Sequence, residues 1–160
     1  MTTAITPDLF RGLLRRHAAG VVVVTVPGER PAGFTATSFT SVSLRPPLVS
    51  FCLARSASSW PAVAGATHVG VHVLDHGQSE LATTFATSGI DRFAAPTAWR
   101  PGPFGVPLLD GVHAVLLCRI ADRLPAGDHA IVLAEPVDGH FGPDASRPLV
   151  YHDGRYTRAA

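Results

Sequence analysis

A chain of 160 residues, 46% apolar and 16% charged with a net charge of +1, is long enough to bury one core and too apolar to stay unfolded. A charge so near neutral offers neither a basic face for nucleic acid nor an acidic face for a basic partner. The longest apolar run falls far short of the roughly 20 residues a membrane helix needs, and the first eight residues show no basic region leading into an apolar stretch. One domain over residues 1–160, placed in the cytoplasm, is the expectation.

Thr6-Pro7-Asp8 opens a helix with a hydroxyl cap, a proline at the first helical position and a carboxylate in the first turn. Leu9, Leu13, Leu14 and His17 then repeat at helical spacing, and the helix is predicted to end near Gly20. Val21 to Val26 is a β-branched run of strand length with no polar alternation, so both its faces should be buried. Pro27-Gly28-Glu29-Arg30 is a turn.

Gly33 to Ser43 follows, a run of hydroxyl and small residues with two phenylalanines and no acidic group. Its composition suits a pleated, half-buried strand. Its hydroxyls and accessible amides also suit a planar polar ligand lying against backbone. Pro46-Pro47 predicts a bend before a strand over Leu48 to Leu53. The serines of Arg55 to Ser59 should cap a short helix running to about Ala66.

His68 to Leu74 alternates as a strand, and Ser79 to Ala86 is a short helix with Leu81 and Phe85 on one face. Residues 87–110, rich in proline and glycine, are predicted to be irregular, which marks such a segment as functional or mobile. Val112 to Leu124 and His129 to Val137 read as two strands, with Pro136 at an edge or a bulge. A Gly/Pro loop over 139–148 and a last strand, Leu149 to Tyr151, complete a tally of six or seven strands and three short helices. The expected fold is mainly β, an antiparallel barrel with short flanking helices.

Chemistry is first narrowed by exclusion. His68, His72 and His76 would share one face of a helix, but on a strand four residues span about 13 Å, too far for one ion to bridge. No metal site is expected. There is no Gly-x-Ser-x-Gly, no Walker loop and no dinucleotide fingerprint. Cys52 and Cys118 sit inside apolar strand-like runs and read as buried thiols of a reducing compartment. Asp128 could orient His129 as a general base, yet no nucleophile is marked out for it.

Several spaced elements carry a positive signal. They are Ala19 to Thr25, Gly33 to Ser43, Pro46 to Phe51, Ser56 to Ser59, Asp91-Arg92-Phe93, Gly105 to Leu109, Gly127-Asp128-His129 and Pro148 to Tyr151. In this order and spacing the chain resembles the flavin reductase family of FMN-binding, Greek-key split β-barrels. These are NAD(P)H:flavin oxidoreductases that supply reduced flavin to two-component monooxygenases.

The resemblance implies roles for particular residues. Thr35, Ala36, Thr37, Ser38 and Phe39, with Ser41, would lie along the flavin, their amides and hydroxyls meeting the ring edge and ribityl chain. Cys52, Leu53, Ala54 and Arg55, with Ser58 and Ser59, would face the ribityl-phosphate end, Arg55 by a bidentate contact. Arg92 and Phe93 would stand near phosphate and ring. His129 would lie beside the nicotinamide and position it.

The implied cofactors are FMN (or FAD) and NADH or NADPH, and the implied assembly is a homodimer serving a separate oxygenase. Two other readings stay open. One is a relative holding flavin tightly for another redox step in a biosynthetic pathway, and the other is a flavin carrier or sensor without turnover.

Overall fold

The computed structural model describes residues 4–159; residues 1–3, part of the N-terminal stretch read above for a leader, and residue 160 lie outside it. Helix α1 spans Pro7–Leu14 and begins as the sequence predicts, the Leu9 amide donating to Thr6 Oγ1 at 3.2 Å. It stops at Leu14, well before Gly20, because Ala19–Gly20 is drawn off as strand β1. The Arg15 carbonyl accepts from the Asp153 amide at 2.9 Å, so the end of the helix is docked on a distant turn.

Strands β2 (Val22–Val26), β3 (Ala32–Ala36), β4 (Thr40–Leu44) and β5 (Pro47–Ala54) precede helix α2 (Trp60–Gly65). Strand β6 (His68–Val73) leads to helix α3 (Ser79–Phe85), a small ladder of β7 (Trp99–Pro101) and β8 (Pro107–Leu109), and the long hairpin of β9 (Ala114–Ala126) and β10 (His129–Phe141). Strands β11 (Leu149–His152) and β12 (Arg155–Arg158) close the chain.

Seven of these strands form one antiparallel sheet in the order β3-β2-β6-β9-β10-β5-β4. Consecutive strands β3 and β4 therefore stand at its opposite edges. Thr37-Ser38-Phe39 must cross from one edge to the other, bridging by covalent chain an opening that no ladder bonds span. This is the split of a split barrel.

The valine-rich strand has its explanation here. Val22, Val24 and Val26 face a barrel core with Phe34, Phe51, Val69, Val71 and Val132. Val21 and Val23 face a second core with Leu74, Ala82, Phe85, Phe93 and Leu149. With apolar layers on both faces, β2 has no place for a polar side chain pointing to water.

Three expectations need correction. Residues 87–110 are not irregular throughout: they contain β7 and β8, and Phe93 makes edge contacts with Phe85 (centroids 5.1 Å) and Trp99 (5.3 Å). The loop expected over 139–148 starts later, since β10 runs to Phe141. The last strand is one half of a hairpin, turning on Asp153 (φ +53°) and Gly154 (φ +75°). Pro136 lies past the last β5 partner, Ala134, beside a register shift against β9, so edge and bulge both hold.

His72 is a buried histidine that the strand explains. Its Nε2 accepts from the Leu109 amide at 3.1 Å, so the neutral ring carries its proton on Nδ1 and donates to the Val23 carbonyl at 3.1 Å. Burial lowers its pKa to about 4. The unfolded chain, with a histidine near 6.5, binds the proton first. Stability should thus fall as pH drops from about 6.5 to about 4, by about 3 kcal/mol from this group. Chemical denaturation of wild type and His72→Gln at pH 7.5 and 4.5 checks it: the variant starts weaker and loses less.

Candidate active site

The crossing segment is held by its own hydroxyl. Ser38 Oγ accepts from the Cys52 amide at 2.9 Å and donates to the Cys52 carbonyl at 3.4 Å, continuing the β5 edge beyond the last β4 pairs. Thr37, Ser38 and Ser41 are exposed. Thr35 is different: its hydroxyl donates to the Ala82 carbonyl at 2.6 Å and ties β3 to α3, so its proton is not available to a ligand. Ala36 and Leu53 belong to the barrel core, with Phe39 packed against it.

Arg55 also departs from expectation. Its Nη1 donates to the His129 carbonyl at 2.8 Å and its Nη2 to the Gly127 carbonyl at 2.6 Å, while its amide donates to the Asp128 carbonyl at 3.1 Å. Two of the five donors of the fork expected to grip a phosphate are engaged by the β9–β10 turn. Gly127, at φ +61°, takes the first place of that two-residue loop, where glycine is at ease. Asp128 Oδ1 meets His129 Nδ1 at 2.7 Å, and this hydrogen bond holds the Asp128 carboxyl below its usual range. The ring is fixed at Nδ1, and Nε2 is left to work outward.

Register places these groups along β5. Cys52 pairs with Ile131 and Ala54 with His129. Ser38 on Cys52 and His129 opposite Ala54 thus stand on opposite edges of β5, offset by two residues, about 7 Å, along it.

A cleft of about 760 Å³ gathers Ser58, Ser59, Arg92 and Phe93 around Gly33, with Glu29, Arg30 and Asp91 also on its walls. Ser59 precedes α2 without capping it; its hydroxyl donates to the Gly33 carbonyl at 3.2 Å. Arg92 donates to the same carbonyl through Nη1 at 2.5 Å, lies 3.4 Å from Ser59 Oγ, and reaches the Thr87 carbonyl through Nε at 3.0 Å. Burial draws the Arg92 pKa below its ordinary value, yet a guanidinium so placed keeps its charge. Gly33 admits no side chain, because a Cβ would stand 2.8 Å from the Phe85 ring and 3.0 Å from the Val24 carbonyl. Trp99 Nε1 donates to the Phe93 carbonyl at 3.1 Å, so this wall is anchored from within.

Three of these parts escaped sequence reasoning: the Gly33 carbonyl, Trp99, and the clamp from Arg55 to the turn. Only the pairing of Arg55 with a carbonyl-rich Gly-Asp turn left a trace in the sequence, and it is a faint one.

The remaining candidates stand apart. His68 stacks on Phe104 at 3.8 Å, His72 is enclosed, and His76 lies 3.4 Å from Asp75, three separate surroundings. Burial pushes the Cys118 thiol up to about 12, which leaves it unreactive. Among the described residues no helix is long and apolar enough to cross a membrane.

A barrel split along one seam, a hydroxyl-lined cleft in which Arg30 and Arg92 stand with Glu29 and Asp91, and a histidine-bearing turn are the parts of the candidate site. Residues 14–160 match the flavin reductase like domain, and the chain belongs to that family. It is similar to an NADH:FMN oxidoreductase of Rhodococcus qingshengii, with 42% identity over 99% of this chain and 84% of that protein. It is 34% identical to the reductase subunit of a flavin-dependent monooxygenase of Mycobacterium tuberculosis, over 98% of this chain and 84% of that one. Among solved structures, an NADH:FAD oxidoreductase of Streptomyces globisporus in complex with NAD and FAD fragments superposes with a TM-score of 0.91 at 36% identity, covering 99% of this chain and 98% of the other.

Proposed function

We propose that this domain, residues 1–160, reduces FMN with NADH and releases the reduced flavin to a separate oxygenase in the cytoplasm. The observation that supports the reading is the cleft that gathers Ser58, Ser59 and Arg92 around Gly33, on a chain whose β5 carries Ser38 on one edge at Cys52 and His129 on the other at Ala54. Ser58 and Arg92 take the flavin phosphate, Ser59 sets the Arg92 fork, and Phe93 walls the cleft. The backbone of Thr35 to Phe39, with Ser38, Ser41 and the rim of Cys52 to Ala54, lies along the ribityl chain and ring. The bound flavin supplies the hydride acceptor at N5. His129 Nε2 orients the nicotinamide, where alignment governs the rate.

Support for an oxygenase partner comes from the monooxygenase subunit among the relatives. Support for a homodimer comes from α1, whose Leu9, Phe10 and Leu13 are each more than half exposed, an apolar face that a second copy would cover. Sedimentation equilibrium checks the mass. For the activity, purified protein is mixed anaerobically with excess FMN and NADH while the flavin absorbance is followed. Bleaching of the excess supports the reductase; bleaching of only a stoichiometric fraction, or none, overturns it.

A further inference from the structure

Residues 91–98 lie between α3 and β7 in no helix or strand, so no ladder fixes the backbone that carries Arg92. Side chains take that place. The Phe93 amide donates to Asp91 Oδ1 at 3.0 Å. The Arg92 carbonyl accepts from Thr97 Oγ1 at 2.8 Å, and the next carbonyl, that of Phe93, accepts from Trp99 Nε1 at 3.1 Å. Arg92 is thus held at both ends, its guanidinium by the Gly33 and Thr87 carbonyls and its backbone by Thr97.

The far side of this clamp rests on the barrel. Trp99 opens β7, which pairs with β8 in a two-stranded ladder separate from the seven-stranded sheet. Two buried side chains of the large sheet hold that ladder in place. Thr25 Oγ1 on β2 donates to the Pro107 carbonyl at 2.6 Å, and His72 Nε2 on β6 accepts from the Leu109 amide at 3.1 Å. Leu109 stands opposite Trp99. Trp99 also lines the cleft around Gly33, whereas Thr97 borders a separate hollow with Gln78, Thr84 and Asp110. Thr97 therefore meets a ligand in the cleft only by way of Arg92.

Resting on the phosphate role of Arg92 given above, we propose that Thr97 is a positioning residue that aims the Arg92 guanidinium into the cleft. A guanidinium fork is directional, so a backbone free to turn at Arg92 loses the phosphate bond and leaves contacts to the ring untouched. The loss should fall on FMN and spare riboflavin.

The test titrates FMN and riboflavin by fluorescence into wild type, Thr97→Val, Thr97→Ser, Arg92→Ala and the double variant Thr97→Val/Arg92→Ala. Thr97→Val, which keeps the shape and loses the hydroxyl, is expected to weaken FMN about five-fold and riboflavin by less than about two-fold. Thr97→Ser, which restores the hydroxyl, should bind both as wild type does. Added to Arg92→Ala, the valine should cost nothing further, because its effect passes through the side chain already removed. Equal losses for the two flavins, an additive loss in the double variant, or an FMN affinity unmoved by Thr97→Val each overturn the proposal. Wild type that binds FMN no tighter than riboflavin, or Arg92→Ala without an FMN-selective loss, would instead remove the phosphate reading, and the role of Thr97 with it.

Discussion

His129→Ala will lower kcat/KM for NADH about 100-fold and leave the FMN dissociation constant within about two-fold. The figure corresponds to about 2.7 kcal/mol of transition-state stabilisation, the size of one well-placed hydrogen bond to a charged or polarised group. The asymmetry between the two ligands follows from geometry, since His129 stands on the β10 edge of β5 and is not among the residues around the Gly33 cleft. Arg55→Ala should give part of the same loss, about ten-fold, because its guanidinium makes two carbonyl contacts, at 2.8 and 2.6 Å, that hold the turn presenting the ring, while the backbone contact to Asp128 remains. If Arg55 acts only through that turn, adding Arg55→Ala to His129→Ala costs nothing further. Steady-state kinetics with NADH varied, together with FMN titrations by fluorescence, separates the cases. A loss of FMN affinity in Arg55→Ala that riboflavin does not share would return Arg55 to the phosphate.

The second large effect belongs to Arg92. Arg92→Ala will weaken FMN about 100-fold and riboflavin far less, and it will lower stability by about 2 kcal/mol. Two causes act on one side chain. On the proposed function the guanidinium meets the flavin phosphate, and a charge-assisted bond to phosphate is among the stronger contacts available. It also joins Gly33 on β3 to Thr87 after α3, so its removal leaves the Thr87 carbonyl without this partner and the Gly33 carbonyl with Ser59 alone. Arg92→Lys separates the two, keeping charge while losing the fork: stability falls as in the alanine variant, FMN affinity by a smaller factor. Equal losses for FMN and riboflavin would reject the phosphate role. Urea denaturation supplies the stability arm.

The parts of this molecule that were legible in the sequence are those fixed by a single segment. The cap on α1 is local chemistry at Thr6, Pro7 and Asp8. The doubly buried β2 is visible as an unbroken valine run, and the Asp128–His129 contact joins neighbours in the chain. What stayed hidden depends on residues far apart in sequence. Thr35 carries the same hydroxyl as its neighbours, and nothing local says that Ala82, 47 positions away, accepts from it. Arg55 sits next to serines that suggest an anion, but its partners arrive 72 and 74 residues later. The α1 stop failed for the same reason, since helical spacing continues to His17 while β11 claims Ala19 and Gly20. One miss was avoidable: Asp153-Gly154 between two short runs is a hairpin dipeptide.

The seam between β3 and β4 has a consequence for the life of the protein in a cell. Both strands end the hydrogen-bonded order, and a three-residue connection is what joins them across the gap. Local opening begins where backbone partners are fewest, so amide exchange and proteolytic nicking should start along this line. A molecule seated there supplies contacts to both edges and, by mass action, subtracts from the open population. Flavin supply would then govern how long each copy survives as well as how fast it works, and a cell short of flavin would clear the enzyme sooner.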